Sequence, residues 1–91
     1  MTFDKRPADD LDYLIDWTRW LEGDTIVSST WTVPTGITSH DKIINSGNQK
    51  TTVWLSGGTL GSSYVITNVI VTTVGRTKEI TFTVTITNFL T

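Results

Sequence analysis

Hydrophobic and polar residues alternate most regularly over residues 77–87. Ile80, Phe82, Val84 and Ile86 occupy every second position there, and threonines occupy the positions between them. Successive side chains of a β-strand point to opposite faces, so this pattern predicts a strand with the four apolar residues facing the core. A shift of one residue in the strand pairing would expose all four apolar side chains to solvent, so the pairing register is strongly specified.

Five earlier segments also have the composition of strands, since they are rich in β-branched and aromatic residues and end at turn residues such as those at 34–36. These predicted strands cover residues 12–18, 25–33, 37–45, 50–56 and 63–73. The first has a competing interpretation, because Leu14, Thr18 and Leu21 also lie on one helical stripe.

Two of these strands allow a more detailed prediction. In the 25–33 segment, Ile26 and Trp31 would point to opposite faces of a regular strand, because one position is even and the other odd. A β-bulge near Ser28-Ser29 would bring both side chains to the same face. In the 63–73 segment, apolar residues occupy both parities, which is typical of a strand covered on both faces.

Tyr64 is placed to form a tyrosine corner. It follows the glycine-marked corner at 57–61, and its hydroxyl would then bond to backbone a few residues upstream. Ile66 occupies the position two residues later, where a disulfide-bonded immunoglobulin domain has its second cysteine. With a hairpin at Val74-Gly75-Arg76, the chain is predicted to be all-β, an Ig-like antiparallel β-sandwich of six to seven strands.

Length and composition narrow the range of functions. The chain has 91 residues, a net charge of −2 and no cysteine, so we expect one small domain with no disulfide, thiol chemistry or cysteine-based metal site. Nucleic-acid binding needs clustered lysine and arginine, which the sequence lacks. The polar first segment does not have the pattern of a signal peptide, and the apolar runs are too short to cross a bilayer.

Few residues in the sequence are candidates for catalysis or for binding a metal or phosphate. The single histidine, His40, has no second histidine or cysteine to complete a catalytic or metal site. The acidic cluster around Asp9 and Asp10 lacks the spacing of a calcium-binding loop, and the 57–61 glycines lack the Lys-Ser/Thr of a phosphate-binding loop. We therefore predict no catalytic residue, metal or cofactor, and interpret the acidic cluster as a solvated segment that meets a basic partner.

Four tryptophans, at positions 17, 20, 31 and 54, are many for a chain of this length. They are compatible with a core, with a protein interface or with a platform for stacking sugars, because aromatic side chains serve all three.

Several segments together resemble a known family. Tyr13-Leu14-Ile15-Asp16-Trp17, Leu21 to Ile26, Trp54 to Tyr64 and Thr72 to Thr77 occur in this order, and the most specific part is Gly-Gly-Thr-x-Gly-x-x-Tyr followed by Thr-Thr-x-Gly-Arg. This pattern, which spans residues 11–86, resembles the small Ig-like virion proteins of tailed bacteriophages known as fiber-tail adaptor or neck-region proteins.

The resemblance implies a non-enzymatic virion component, made in the host bacterial cytoplasm, that bridges neighbouring proteins at the neck or tail. Its implied partners are portal, head–tail connector, tail or fiber proteins, in a multimeric ring and without nucleic acid or membrane. A head decoration protein and a carbohydrate-binding adhesion module are the alternatives.

We expect an N-terminal arm at 1–10, a sandwich domain at 11–88 and a C-terminal tail at 89–91. The arm and the tail are the expected docking elements. The candidate interface residues are Asp9, Asp10, Trp20, Arg76, Phe89 and Leu90.

Overall fold

The residues that the structure describes form seven β-strands and one helical turn. The structure is a computed structural model, and it describes residues 2–45 and 47–87. The elements are β1 (Thr2–Lys5), β2 (Leu11–Asp16), α1 (Thr18–Leu21), β3 (Ile26–Thr32), β4 (Ile37–Ile44), β5 (Lys50–Gly57), β6 (Ser63–Thr72) and β7 (Thr77–Ile86). No helix in the described ranges is long and apolar enough to span a membrane.

The strands form two sheets, one with the order β1-β7-β6-β3 and one with the order β2-β5-β4. All neighbouring strands are antiparallel except β1, which pairs in parallel with β7. The predicted all-β, Ig-like sandwich is confirmed, with seven strands.

Strand β1 lies within the segment that was expected to be an N-terminal arm. Phe3 pairs with Val84 and packs against the core, and Lys5 pairs with Ile86 and is only 1% exposed. Part of the segment expected to be an N-terminal arm is therefore a strand, since Thr2–Lys5 forms the edge of a sheet by pairing with β7.

The core is filled by inward residues of both sheets. Phe82, Val84 and Ile86 are buried, as predicted, and Ile80 is half-buried at the margin of the core. Phe82 also contacts three other aromatic rings, those of Phe3, Tyr13 and Trp31, at centroid distances of 5.5, 5.6 and 6.3 Å. Large rings from both sheets therefore fill the space between them.

Strand β6 differs from its prediction. Its inward residues are buried, but Val65 on the opposite face is 57% exposed and Val69 and Val71 are half-buried. The prediction that both faces are covered is wrong, since no described element packs on the outer face of this sheet. The apolar residues there are β-branched residues that suit an extended backbone.

Asn68 stands at the centre of a buried polar network that joins the two sheets. Trp17 Nε1 donates to Thr51 Oγ1 at 3.0 Å, and the Thr51 hydroxyl donates to Asn68 Oδ1 at 2.7 Å. Asn68 Nδ2 donates in turn to Ser29 Oγ at 2.8 Å and to the carbonyl oxygen of Thr30 at 3.1 Å. Because these buried groups satisfy one another, the network fixes how β5 lies over β3 and β6.

The structure also settles two open questions in the N-terminal half, namely whether residues 12–18 form a strand and whether the next strand contains a bulge. The strand interpretation of residues 12–18 is confirmed for residues 12–16, which lie in β2, whereas Thr18 begins the single helical turn α1. In β3 the pairing shifts between Ile26 and Ser28, which confirms the predicted bulge and brings Ile26 and Trp31 to the buried face.

Candidate docking surfaces

The loops gather at two opposite ends of an elongated molecule. The principal extents are 42 × 25 × 21 Å. Strand β6 has ten residues and runs from one end to the other, a length of about 33 Å at about 3.3 Å per residue. We call the end near Tyr64 the tyrosine end and the end near Arg76 the arginine end.

Tyr64 organises the tyrosine end. Its hydroxyl accepts a hydrogen bond from the backbone N–H of Thr59 at 3.0 Å, five residues upstream, so the predicted tyrosine corner is present. Hydrogen bonding by Thr59 lowers the pKa of the Tyr64 phenol. A Cβ at Gly36 would lie 3.1 Å from this ring, and one at Gly58 would lie 2.6 Å from Ile86 Cδ1. A side chain at Gly58 would therefore force atoms of Ile86 to shift, and one at Gly36 would require the Tyr64 ring to move by a few tenths of an ångström.

A buried lysine ties β1 to the same end. Lys5 Nζ donates to the carbonyl oxygens of Gly57 at 2.6 Å and Arg6 at 2.8 Å. Burial lowers the pKa of the Lys5 ammonium, and the carboxylates of Asp9 and Asp10 act in the opposite direction. The buried charge is thus held by carbonyl dipoles that link the last residue of β1 to the last residue of β5.

His40 forms a second link near the tyrosine end. Its Nε2 bonds to Asp10 Oδ1 at 2.8 Å, its Nδ1 bonds to Asp41 Oδ2 at 3.0 Å, and its ring stacks on Trp54 at 5.9 Å. The bonds to Asp10 and then Asp41 raise the pKa of the imidazole. The bulge after His40, with Asp41 at φ 49°, sets this geometry and holds the β1–β2 connection against β4.

Arg76 organises the arginine end. Its Nη2 donates to the carbonyl oxygen of Leu21 at 2.9 Å and to Asp24 Oδ2 at 3.1 Å, and its Cζ lies 4.4 Å from the centroid of a Trp20 ring. The Asp24 side chain is 5% exposed, and hydrogen bonds with Thr72, the Thr25 backbone and Arg76 lower the pKa of its carboxyl. One guanidinium therefore joins the β6–β7 hairpin to the end of α1.

Each end also presents an apolar side chain at the tip of a loop. Leu60, between the glycines of the tyrosine end, is 54% exposed, and Val74, in the hairpin of the arginine end, is 76% exposed. Beside Val74 lies an open groove of about 540 Å³ that Leu21, Asp24 and Arg76 help to line. Both side chains are therefore accessible to a neighbouring protein.

Among residues 2–45 and 47–87, no group of three or more histidine, aspartate or glutamate side chains could hold a metal ion. His40, the single histidine, is engaged by carboxylates on both ring nitrogens.

The family described as Podophage GP4 fiber-tail adaptor protein gp77 matches residues 5–85 of the chain. The chain belongs to this family. A comparison with curated proteins found no match. Membership confirms the family resemblance and gives the chain a structural adaptor role in a phage particle, which implies a non-enzymatic function.

The interface residues predicted for this adaptor fall into two groups. Trp20 and Arg76 are brought together at the arginine end, whereas Asp9 and Asp10 lie at the tyrosine end, where Asp9 Oδ2 accepts from the backbone N–H of Arg6. Phe89 and Leu90, with the predicted tail at 89–91, lie outside the described residues. The interface role of these residues remains a prediction, but Arg76 also has contacts within the chain that the sequence interpretation did not include.

The tryptophans do not form a shared platform. Trp17 and Trp31 are buried in the core, whereas Trp20 lies at the arginine end and Trp54 lies on the outer face of the three-stranded sheet. Sugar-stacking modules need coplanar exposed rings, so this distribution does not favour the carbohydrate-binding alternative.

Sequence reasoning missed three structural features of the adaptor, namely the Asn68 network, the contacts of Lys5 with backbone carbonyls, and the hydrogen bonds of His40 to Asp10 and Asp41. The Asn68 network could have been found, because Asn68 is a polar residue at the inward parity of an apolar strand. The contacts of Lys5 with backbone carbonyls left no pattern in the sequence, and neither did the hydrogen bonds of His40 to Asp10 and Asp41, which we call the His40 clamp. Apart from Asp41, their partners are backbone oxygens or residues far away in the sequence, such as Gly57 and Asp10.

Proposed function

We propose that this adaptor is a non-enzymatic structural component of a tailed-phage virion that bridges two neighbouring proteins at the neck or tail. In this proposal one neighbour binds the tyrosine end and the other binds the arginine end. The observation that carries the proposal is the pair of hydrogen-bonded loop clusters at opposite ends, each with an exposed apolar tip.

The partners we propose are other phage structural proteins, namely tail, fiber, portal or head–tail connector proteins. Several copies form a ring in the particle, and the chain is made in the host cytoplasm before assembly. Family membership supports this proposal at the level of the adaptor role.

The two ends suit different neighbours. The tyrosine end presents Leu60 together with the carboxylates of Asp9 and Asp10, so it fits an apolar surface with nearby basic groups. The arginine end presents Val74 beside Trp20 and Arg76, and aromatic and arginine side chains are the residue types most often found at the energetic centre of interfaces.

The test uses two tip variants, Leu60→Glu and Val74→Glu, with wild type as reference. Both tips are exposed, so both variants should fold normally, with melting temperatures close to that of the wild type. Each protein is mixed with tails assembled without the adaptor and, separately, with isolated fibers, and binding is measured by co-sedimentation.

Wild type should bind both probes, and each variant should lose a different one. The bridging proposal is wrong if wild type binds neither probe, if both variants lose the same probe, or if neither variant loses any binding.

A further inference from the structure

Each sheet has two edge strands, and three of the four carry features that oppose pairing with a further strand. Strand β1 has only four residues, and its last two, Asp4 and Lys5, are charged. Strand β2 carries Asp12 and Asp16, and the pairing of β4 is interrupted by a bulge after His40. Charges, bulges and short length are the usual means by which proteins protect a sheet edge.

Strand β3 is the exception among the four edges. Its segment Ile26–Thr32 contains no charged residue and no proline. Its bulge lies at the start of the strand, so residues 28–32 pair with β6 without interruption. Such a stretch is about 17 Å long at about 3.3 Å per residue. This edge is therefore long enough to pair with another strand, and within residues 2–45 and 47–87 no strand occupies it.

The backbone groups of Ser29 and Trp31 face the open side of this edge. The Thr72 N–H donates across the β6–β7 hairpin, so Thr72 faces β7. Because the backbone groups of successive strand residues point to alternate sides, Val69 faces β3. Thr30 is opposite Val69 and therefore bonds to β6. The N–H and C=O groups of Ser29 and Trp31, on either side of Thr30, thus point away from the sheet.

A cleft of about 370 Å³ lies beside this edge, between β3 and β4. Ser29 lines it on one side, and the β4 residues Lys42, Ile43 and Ile44 line it on the other. A strand added to β3 would lie about 4.8 Å from it, with its inward side chains in the space between the sheets. Since β4 of the other sheet contacts β3, the cleft is where such a side chain would enter.

The cleft combines an apolar wall with a basic one. Ile44 is half-buried and packs against the core. Lys42 is exposed and forms no ion pair among the described residues, and the carboxylate of the neighbouring Asp41 bonds to His40 instead. Strand β3 itself contributes no charge. The cleft therefore suits an apolar side chain with a carboxylate next to it.

We propose that the free edge of β3 binds an extended segment of another virion protein, which pairs with Ser29 and Trp31 as a fifth strand of this sheet. The segment places an apolar side chain against Ile44 and an aspartate or glutamate beside Lys42. The inference rests on the proposed adaptor function and adds a lateral contact to the two ends. Backbone hydrogen bonds supply affinity in this mode of binding, and the side chains in the cleft supply selectivity.

A strand of a second folded copy does not fit this site. The inward side chains of its own β3 are already engaged, because Trp31 packs on Phe82 in the core. Ser29 likewise accepts a hydrogen bond from Asn68. The other edges of such a copy, β1, β2 and β4, are the ones protected by charge, a bulge or short length.

Polarity also argues against a pair of copies joined through β3. A symmetric pair of β3 strands would run antiparallel, which would place the tyrosine end of one copy beside the arginine end of the other. Each neighbour in the particle would then meet both kinds of end, whereas the proposed bridge presents one kind of end to each neighbour.

Hydrogen–deuterium exchange tests the binding at the edge itself. The adaptor is measured alone and bound to each of two probes, tails assembled without the adaptor and isolated fibers. The amides of Ser29 and Trp31 should exchange rapidly in the free adaptor. Exchange in the peptide covering residues 28–33 should slow about 10-fold or more in one of the two complexes. The matched control is the edge strand β2, whose exchange should change by less than about 2-fold.

The outcomes of this measurement are distinguishable. Unchanged exchange of residues 28–33 in both complexes, or equal slowing in β2, overturns the binding at β3 while leaving the bridging role intact. Protection of residues 28–33 in the free adaptor that disappears on dilution would overturn the choice of partner, because a second copy would then occupy the edge. Failure of the wild type to bind either probe counts instead against the proposed function.

The chemistry of the bound segment is tested at Lys42. Lys42→Glu reverses the charge at the cleft, whereas Lys42→Arg keeps it and is the matched control. Lys42 is exposed, so melting curves should show that both variants fold like the wild type. Lys42→Glu should weaken binding to the probe that protects residues 28–33 by about 10-fold, and Lys42→Arg should change it by less than about 2-fold. Equal binding by the two folded variants would refute a carboxylate beside Lys42.

Discussion

At the tyrosine end the loops are fixed by contacts that reach into the core, whereas at the arginine end they are fixed by a charged side chain on the surface. Tyr64 is buried and accepts the Thr59 N–H, and the Lys5 ammonium is enclosed by backbone carbonyls. Arg76, in contrast, keeps 42% of its side chain exposed while it holds Asp24 and Trp20.

This difference determines what each end can tolerate. A buried contact is little affected by salt, because buried groups are poorly screened, and it tolerates little added volume, because close-packed interiors have few places to shift. A partly exposed ion pair contributes little and is screened by salt. The tyrosine end is therefore continuous with the folded core, and the arginine end can be altered with a smaller loss of stability.

The largest difference in stability between the two ends is expected when a methyl group is added to one glycine at each end. Gly58→Ala would place its Cβ 2.6 Å and 2.7 Å from two atoms of buried Ile86, at φ 99°. We expect the free energy of unfolding to fall by about 3 kcal/mol. Gly75→Ala has a similar φ of 100° but no atom within 4 Å, and it should cost about 1 kcal/mol. Urea denaturation of both variants measures the difference, and equal losses would contradict a packed tyrosine end.

A smaller effect is expected from Tyr64→Phe, which removes only the hydroxyl that accepts the Thr59 N–H. The melting temperature should fall by about 5 °C, because one partly buried donor loses its partner. The fall should be the same in dilute buffer and in high salt. A wild-type melting temperature would mean that the corner does not depend on this bond.

At the other end, Arg76→Gln should lower the melting temperature by about 3 °C in dilute buffer, because Asp24 and Trp20 lose their contacts with the guanidinium. The loss should shrink in about 0.5 M sodium chloride, where the wild-type ion pair is already screened. A loss that does not depend on salt would show that packing, rather than charge, holds this end.

The smallest effect concerns the His40 clamp, which adds one charged contact to the tyrosine end. Asp10 and Asp41 raise the pKa of His40 above its ordinary value of 6.5, so the folded state favours the imidazolium. The stabilisation is fully present below about that value and is lost as the pH rises through the raised pKa. Melting curves from pH 6 to pH 9 should show a drop of about 1 °C in wild type. The drop should be absent in His40→Gln, and an equal drop in that variant would assign it to other groups.

The sequence predicted the elements that depend on local pattern and missed those that depend on distant partners. The alternation around Phe82 and the glycine corner before Tyr64 specify a strand and a turn by themselves, so both were found. Strand β1 is too short to show a clear alternation of apolar and polar residues. The sequence alone suggests that Lys5 is a surface charge, because its partner Gly57 is far away along the chain. The exposed outer face of β6 was misread, because valines that favour extended backbone look the same as valines that are buried.

A cryo-electron microscopy map of the intact virion would show whether the adaptor bridges two proteins through its opposite ends, as we propose. We expect density from one neighbour against Leu60 and Asp9, and density from a different neighbour against Val74 and Trp20. A map in which either end faces solvent, or in which both ends contact the same protein, would contradict it.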